Sequence, residues 1–315
     1  MSEPADRLDS NLTEPPVLWP VHKEPMSPDP GPLMIMTAPV GGQITRAQNP
    51  HLPYSPREIA DESIAGLSEG SQIAHLHVRD ELGFGSDDQA RYEEAYGYIK
   101  EQHPDALISL NMTRPLADDR ISSRFDNHDI TLGDSIVVNL GSMNIGDKVF
   151  ANSWAFVRDA CKYADERGVK PEMAVYNERM IIEMNERLIE PGHVTAPYFV
   201  NLCIGIHNGA TADIGSLQRM VALLPEDAVW MVSVGGRNWL PLIAQAIVMG
   251  GHVRVGMEDN VHFYRHSNQL INSSRECVRK AVQLADVFGR KVGSVQEVSN
   301  LLGLSRLPGR IGTDV

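Results

Sequence analysis

Along most of the chain, short apolar runs alternate with longer stretches in which apolar residues recur near helical spacing. The runs fall at residues 33–38, 73–80, 106–112, 135–139, 172–176, 198–202, 228–233 and 252–256, and each reads as a strand. Ser55-Pro56-Arg57-Glu58 is a helix start, with a capping hydroxyl, Pro in the first turn and Glu behind it; Ile59, Ile64 and Leu67 continue it towards Gly70. Further helices are predicted over 87–102 and 153–167, from near Asp213 and Trp239, and ahead of residues 135 and 198, the first of these two polar. Eight strand–helix units over the full length predict a closed parallel (β/α)8 barrel of the TIM type, with an open doubly wound sheet as the alternative. No Gly-x-Gly-x-x-Gly turn follows the first run, which weakens the dinucleotide-binding form of the open sheet.

Residues 1–32 break this rhythm. Pro15-Pro16, Pro25, Pro28, Pro30 and Pro32 stand among acidic and small polar residues, with too little apolar surface to offset the entropy of ordering. A disordered or docked N-terminal extension is expected there, and one barrel domain over 33–315. The formal net charge of −13 disfavours nucleic acid as a partner. No apolar run is long enough to cross a bilayer, and the start lacks the basic and apolar regions of a signal peptide, so cytoplasmic residence is expected. Cys161, Cys203 and Cys277 are odd in number and widely spaced, which argues against a disulfide framework and against a thiolate zinc site.

The candidate chemistry begins in Ile73-Ala74-His75-Leu76-His77-Val78-Arg79-Asp80. In an extended strand Ile73, His75, His77 and Arg79 share one face, and Ala74, Leu76 and Val78 the other. Two imidazoles two residues apart can reach one borderline ion such as Zn²⁺ at about 2.1 Å. The alternative is a pair of hydrogen-bonded core histidines. In a barrel the active site lies where the strands end, so the eighth run decides between them. In Val253-Arg254-Val255-Gly256-Met257-Glu258-Asp259-Asn260, alternation sends Arg254 and Glu258 into the barrel mouth if the valines and Met257 pack under helices. Glu258 is then the best third ligand, and an inward Arg254–Glu258 ion pair is the competing reading.

Three stretches resemble the β-keto acid cleavage enzymes: His75-Leu76-His77-Val78-Arg79, Asn139-Leu140-Gly141-Ser142-Met143-Asn144, and the run from Gly250 to Asn260. Looser similarity extends from Leu33 to the C-terminus. The resemblance implies a homotetrameric TIM barrel holding Zn²⁺ on His75, His77 and Glu258. It also implies condensation of a β-keto acid with acetyl-CoA, followed by cleavage to acetoacetate and a new acyl-CoA. Asp259 matches the family's general base, and Arg254 the residue that steadies it and the developing oxyanion. Gln43, Thr113, Arg114, Asn139 and Ser142 fall where the substrate is expected.

The departures bear on substrate. Where the family has Ser-Thr-Gly-Gly after the third strand, this chain has Met112-Thr113-Arg114-Pro115, and Pro115 offers no N–H. Gln43 and Ala174 stand where many relatives carry acids, and Gly205-Ile206-His207-Asn208-Gly209 replaces Gly-Val-Pro-Gly-Gly. Neutral or dicarboxylic β-keto acids are therefore expected over amino-bearing ones, with Arg114 supplying a fixed cation near the substrate carboxylate. Two other functions fit the same residues: a zinc barrel hydrolase, which needs no acetyl-CoA, and a metal-dependent keto-acid binder without turnover.

Overall fold

A computed structural model of the chain describes residues 29–111, 129–206 and 208–304. The chain opens with β1 (Ile35–Thr37), α1 (Pro56–Glu69) and β2 (Ile73–Leu76), then a small hairpin of β3 (Val78–Arg79) and β4 (Gly85–Ser86). Next come α2 (Gln89–Gln102), β5 (Leu107–Leu110), β6 (Ser135–Asn139) and a second hairpin, β7 (Met143–Ile145) and β8 (Lys148–Phe150). These are followed by α3 (Trp154–Asp165), β9 (Lys170–Val175), α4 (Glu178–Met184), β10 (Tyr198–Ile204), α5 (Ile214–Val221) and β11 (Ala228–Val234). The described chain ends with α6 (Trp239–Val248), β12 (His252–Val255), α7 (Ser274–Val287) and α8 (Val295–Leu301). Eight of these strands close a parallel barrel in the order β1-β12-β11-β10-β9-β6-β5-β2, which is the predicted (β/α)8 architecture rather than an open sheet.

Local sequence explains where helices start. Ser55 and Ser294 each form a reciprocal capping box, with Glu58 and Glu297, and Asp88, Ser153, Asn177, Asp213 and Ser273 cap the helices that follow them. Of the segment ahead of residue 135, where a polar helix is expected, residues 112–128 lie outside the described residues, and the described part holds a 3₁₀ turn at Ile130–Leu132. Residues 1–28 of the expected extension also lie outside.

Strand parity divides the barrel. Outward residues such as Ala74, Leu76, Val253, Val255 and Met257 join the main core beneath the helices. Inward, a smaller apolar cluster of Met34, Met36, Ile73, Leu107, Phe199 and Met231 fills the N-terminal end, sealed by Val298 of α8 and by Leu302 just beyond it. Above that cluster the inward residues turn polar, and the site is built there.

Candidate active site

His75 sits one pleat above Ile73 on β2, wholly buried. His77 lies at a break between β2 and β3, so the predicted unbroken strand through residue 80 is corrected to a short strand followed by a hairpin. The two rings nevertheless meet at 5.1 Å between centroids and an interplanar angle of 75°. Across from them stands Glu258. The eighth strand also ends earlier than expected, at Val255, and a turn delivers the carboxylate. That turn depends on Gly256, whose φ of +153° and approach to the Ala38 carbonyl leave no room for a Cβ. Gly41 on the facing loop is needed as well, since a Cβ there would lie 2.5 Å from Cγ of Glu258.

His75 Nε2 is 3.4 Å from Glu258 Oε2, and His77 Nε2 is 3.5 Å from Oε1. One ligand atom from each of the three residues falls within 4.8 Å of the others, as a shared cation requires. Nε2 of His75 and Oε2 of Glu258 are both buried without a hydrogen-bond partner. Two orphaned buried atoms of this kind, facing one another, fit a cation held between them. The inward histidines, the glutamate and the arginine thus meet, and the Arg254–Glu258 ion pair of the competing reading is present beside the His75–His77–Glu258 cluster.

Arg254 is the electrostatic hub. Its guanidinium reaches Glu258 Oε1 at 3.1 Å through one amine and Asp259 Oδ1 at 2.7 Å through the other. Burial alone would raise the Glu258 pKa, but the guanidinium and both imidazoles hold its carboxyl well below the usual range. Asp259 moves the other way, to about 6, because burial outweighs the pull of Arg254 and the neighbouring Glu258 charge adds to it. Burial lowers the pKa of His77. Oδ2 of Asp259 is buried with no hydrogen-bond partner, so one carboxylate oxygen is anchored and the other is left for chemistry.

These groups line a cavity of about 560 Å³ at the barrel mouth, shared with the β1–α1 loop and both hairpins. Gln43, Asn139 and Ala174 line it, and Asn139 Oδ1 accepts from the Tyr176 hydroxyl at 2.7 Å. Ser142 is not part of the lining; its hydroxyl instead accepts from the Asn152 N–H at 2.8 Å and ties the base of the β7–β8 hairpin. Thr113 and Arg114, with Met112 and Pro115, lie outside the described residues. The predicted chemical face also held Arg79, which is fully buried and donates to the carbonyls of Gly83, Ile44 and Gly41. It clamps the Gln43 loop to the first hairpin. Tyr176 and Lys148 also line the cavity and were not foreseen; Tyr176 stood at the end of a predicted strand, a position that should have marked it.

The family model described as beta-keto acid cleavage enzyme matches residues 32–304. A 3-keto-5-aminohexanoate cleavage enzyme from Acetoanaerobium sticklandii is 34% identical over 280 residues, which cover 87% of this chain and 99% of that one. A 3-dehydrocarnitine:acetyl-CoA trimethylamine transferase from Rhizobium meliloti is 28% identical over 295 residues, covering 87% and 97%. Among solved structures, apo ObcA is similar with a TM-score of 0.66 at 16% identity, over 82% of this chain and 66% of that chain, a likeness that bears on the fold alone. With the model match running the length of the barrel and a relative of this identity covered almost end to end, the chain belongs to the β-keto acid cleavage enzyme family.

Proposed function

We propose that this chain is a zinc-dependent enzyme that condenses a β-keto acid with acetyl-CoA and releases acetoacetate and a new acyl-CoA. One observation carries the reading: His75, His77 and Glu258 present converging ligand atoms, two of them orphaned, next to a carboxylate with a free oxygen in a cavity of substrate size. The donor set of two imidazoles and one carboxylate suits Zn²⁺ and leaves a position for a substrate oxygen. When bound, such an ion would polarise the keto oxygen and lower the barrier to removing the proton from the adjacent carbon.

Asp259 is the base in this reading. Its anchored Oδ1 fixes the carboxylate plane, and its free Oδ2 takes the proton from the carbon between the keto and carboxyl groups. Arg254 holds that carboxylate in place and keeps positive charge beside the oxygen that becomes negative. Gln43, Asn139 and Tyr176 line the space where the rest of the substrate would rest. Homotetrameric assembly and cytoplasmic residence go with the reading and rest on the family resemblance and the sequence composition.

The test is purified protein assayed against a panel of β-keto acids with and without acetyl-CoA, alongside elemental analysis. About one zinc per chain and acetoacetate formation that requires acetyl-CoA are expected. Turnover without acetyl-CoA would replace the reading with a hydrolase, and full zinc occupancy with no turnover across the panel would replace it with a binder.

A further inference from the structure

Below the ligand atoms the barrel interior carries a run of polar side chains that the chemistry above does not use. Glu172, in the middle of β9, is wholly buried. Its Oε2 accepts from the Ser109 hydroxyl at 2.7 Å and its Oε1 from the Asn201 amide at 2.9 Å. Asn201 Oδ1 in turn accepts from the Ser233 hydroxyl at 2.7 Å. On the other side, Ser109 Oγ lies 3.1 Å from Nδ1 of His75, its register partner across β2 and β5.

Donors and acceptors in this network run one way. A carboxylate only accepts, so it takes the single hydroxyl proton of Ser109 and an N–H of Asn201. Turning the Asn201 amide over would set its oxygen against Glu172 Oε1, so the orientation is fixed by the network. With its proton committed to Glu172, Ser109 has only lone pairs to offer His75, and the imidazole must donate its Nδ1–H. In the neutral ring that a cation would bind, Nε2 is then the bare nitrogen, and Nε2 is the atom that faces Glu258.

We propose that Glu172 is a positioning residue which, through Ser109, fixes the tautomer and ring orientation of His75 and so sets the affinity of the site for its cation. The inference rests on reading His75, His77 and Glu258 as ligands. A side chain that merely satisfies buried hydrogen bonds would contribute to stability alone. A positioning residue also controls which ring nitrogen is free, and outer partners of this kind are worth roughly 10–100-fold in metal affinity.

Glu172→Gln separates the two. Asn201 still needs an acceptor, so the new amide oxygen stays on that side and the new NH₂ faces Ser109. It donates to Ser109 Oγ, freeing the hydroxyl proton for His75 Nδ1 and moving the ring proton to Nε2. NMR of metal-free protein labelled with ¹⁵N in histidine, at a pH high enough for the ring to be neutral, should show His75 as the Nδ1–H tautomer in the wild type and the Nε2–H tautomer in the variant. Competition with a chromophoric chelator should show Zn²⁺ bound about 10–100-fold more weakly. Ser109→Ala should weaken Zn²⁺ similarly, Ser109→Thr should restore it, and the double variant should be no weaker than Ser109→Ala alone.

Wild-type Zn²⁺ affinity together with an unchanged tautomer in Glu172→Gln, or additive losses in the double variant, overturns the proposal. Should Glu172→Gln fail to fold, the affinities of Ser109→Ala and Ser109→Thr decide it in the same way. If the wild type binds no Zn²⁺ at all, the ligand reading fails instead, and the tautomers in the metal-free proteins still decide the role of Glu172.

Discussion

Two layers inside one barrel do opposite work with the same strands. Ile73 lies one pleat below His75, Leu107 below Ser109, Phe199 below Asn201 and Met231 below Ser233. The lower member of each pair belongs to an apolar plug, and the upper member to a polar network around the candidate site. Burying a large apolar side chain contributes about 1.5–3 kcal/mol each. A buried polar network returns little net stability even when fully paired, and losing one partner is costly. Within the barrel interior, apolar stabilisation is thus concentrated at the N-terminal end and the candidate chemistry at the mouth, so substitutions in the two layers should have separable consequences.

The largest separation is expected at His77. Replacing it with alanine should abolish stoichiometric zinc and turnover while leaving the metal-free protein about as stable as the wild type, because the plug below is untouched. Elemental analysis and thermal melting of the metal-free proteins check this; undiminished zinc in the variant would remove His77 from the ligand set. Asp259→Asn should retain zinc and substrate affinity, and kcat should fall by about 10²–10⁴-fold, the usual share of a positioned base. An amide cannot accept the proton at neutral pH, so exchange of the substrate α-hydrogen with deuterated solvent should stop. Exchange at the wild-type rate would rule Asp259 out.

Phe199→Ala tests the lower layer. The ring is fully buried, and its loss should cost about 3–5 kcal/mol in urea unfolding with zinc stoichiometry unchanged. Zinc lost without loss of stability would mean that the plug and the site are not separable.

A smaller effect concerns substrate charge. Among the described residues lining the cavity, the only acids are Glu258 and Asp259, and both are engaged by Arg254. An ammonium group on the substrate would be buried without a counter-charge, which disfavours it. Neutral and dicarboxylic β-keto acids should therefore show higher kcat/KM than 3-keto-5-aminohexanoate. Ala174→Glu, one pleat above Glu172, should narrow the gap by about 10-fold, the worth of one charge-assisted hydrogen bond. Preference of the wild type for the amino substrate would defeat this.

Much of the barrel and part of the His75–His77–Glu258 cluster could be read from parity. Apolar runs marked all eight barrel strands, and alternation placed His75 and Arg254 inside and the valines of β12 outside. What alternation could not supply was the end of each strand. His77 sits at a break and Glu258 in a turn, positions set by the close approach of Gly256 to Ala38 and of Glu258 to Gly41, which are contacts distant in sequence. Arg79 shared the chemical face by parity, but which carbonyls it would clamp depended on how two loops fold over it. The Glu172 network did leave a trace: Ser109, Glu172, Asn201 and Ser233 each stand as a polar residue at an inward position of an apolar strand. Their mutual pairing, however, follows from register around the barrel and not from any one segment.

An effect of comparable size lies with a second buried histidine, at the start of β12 in the lower half of the barrel. His252 Nδ1 accepts from the Met34 N–H at 3.0 Å, and burial, with the nearby Arg290 charge, pushes its pKa from 6.5 to about 3. His75 faces His77 and Glu258, whereas His252 stays neutral to complete a backbone hydrogen bond. Between pH 6.5 and about 3 the unfolded chain binds a proton at this residue and the folded chain does not. Stability must then fall as the pH is lowered through that window, with a slope approaching about 1.4 kcal/mol per pH unit from this group. His252→Asn keeps an acceptor near the Nδ1 position but cannot titrate. Urea unfolding at pH 7 and pH 5 should show the variant losing about 2 kcal/mol less than the wild type over that interval. Equal losses would mean that His252 is protonated in the folded protein, and the lower layer would then hold a buried charge of its own.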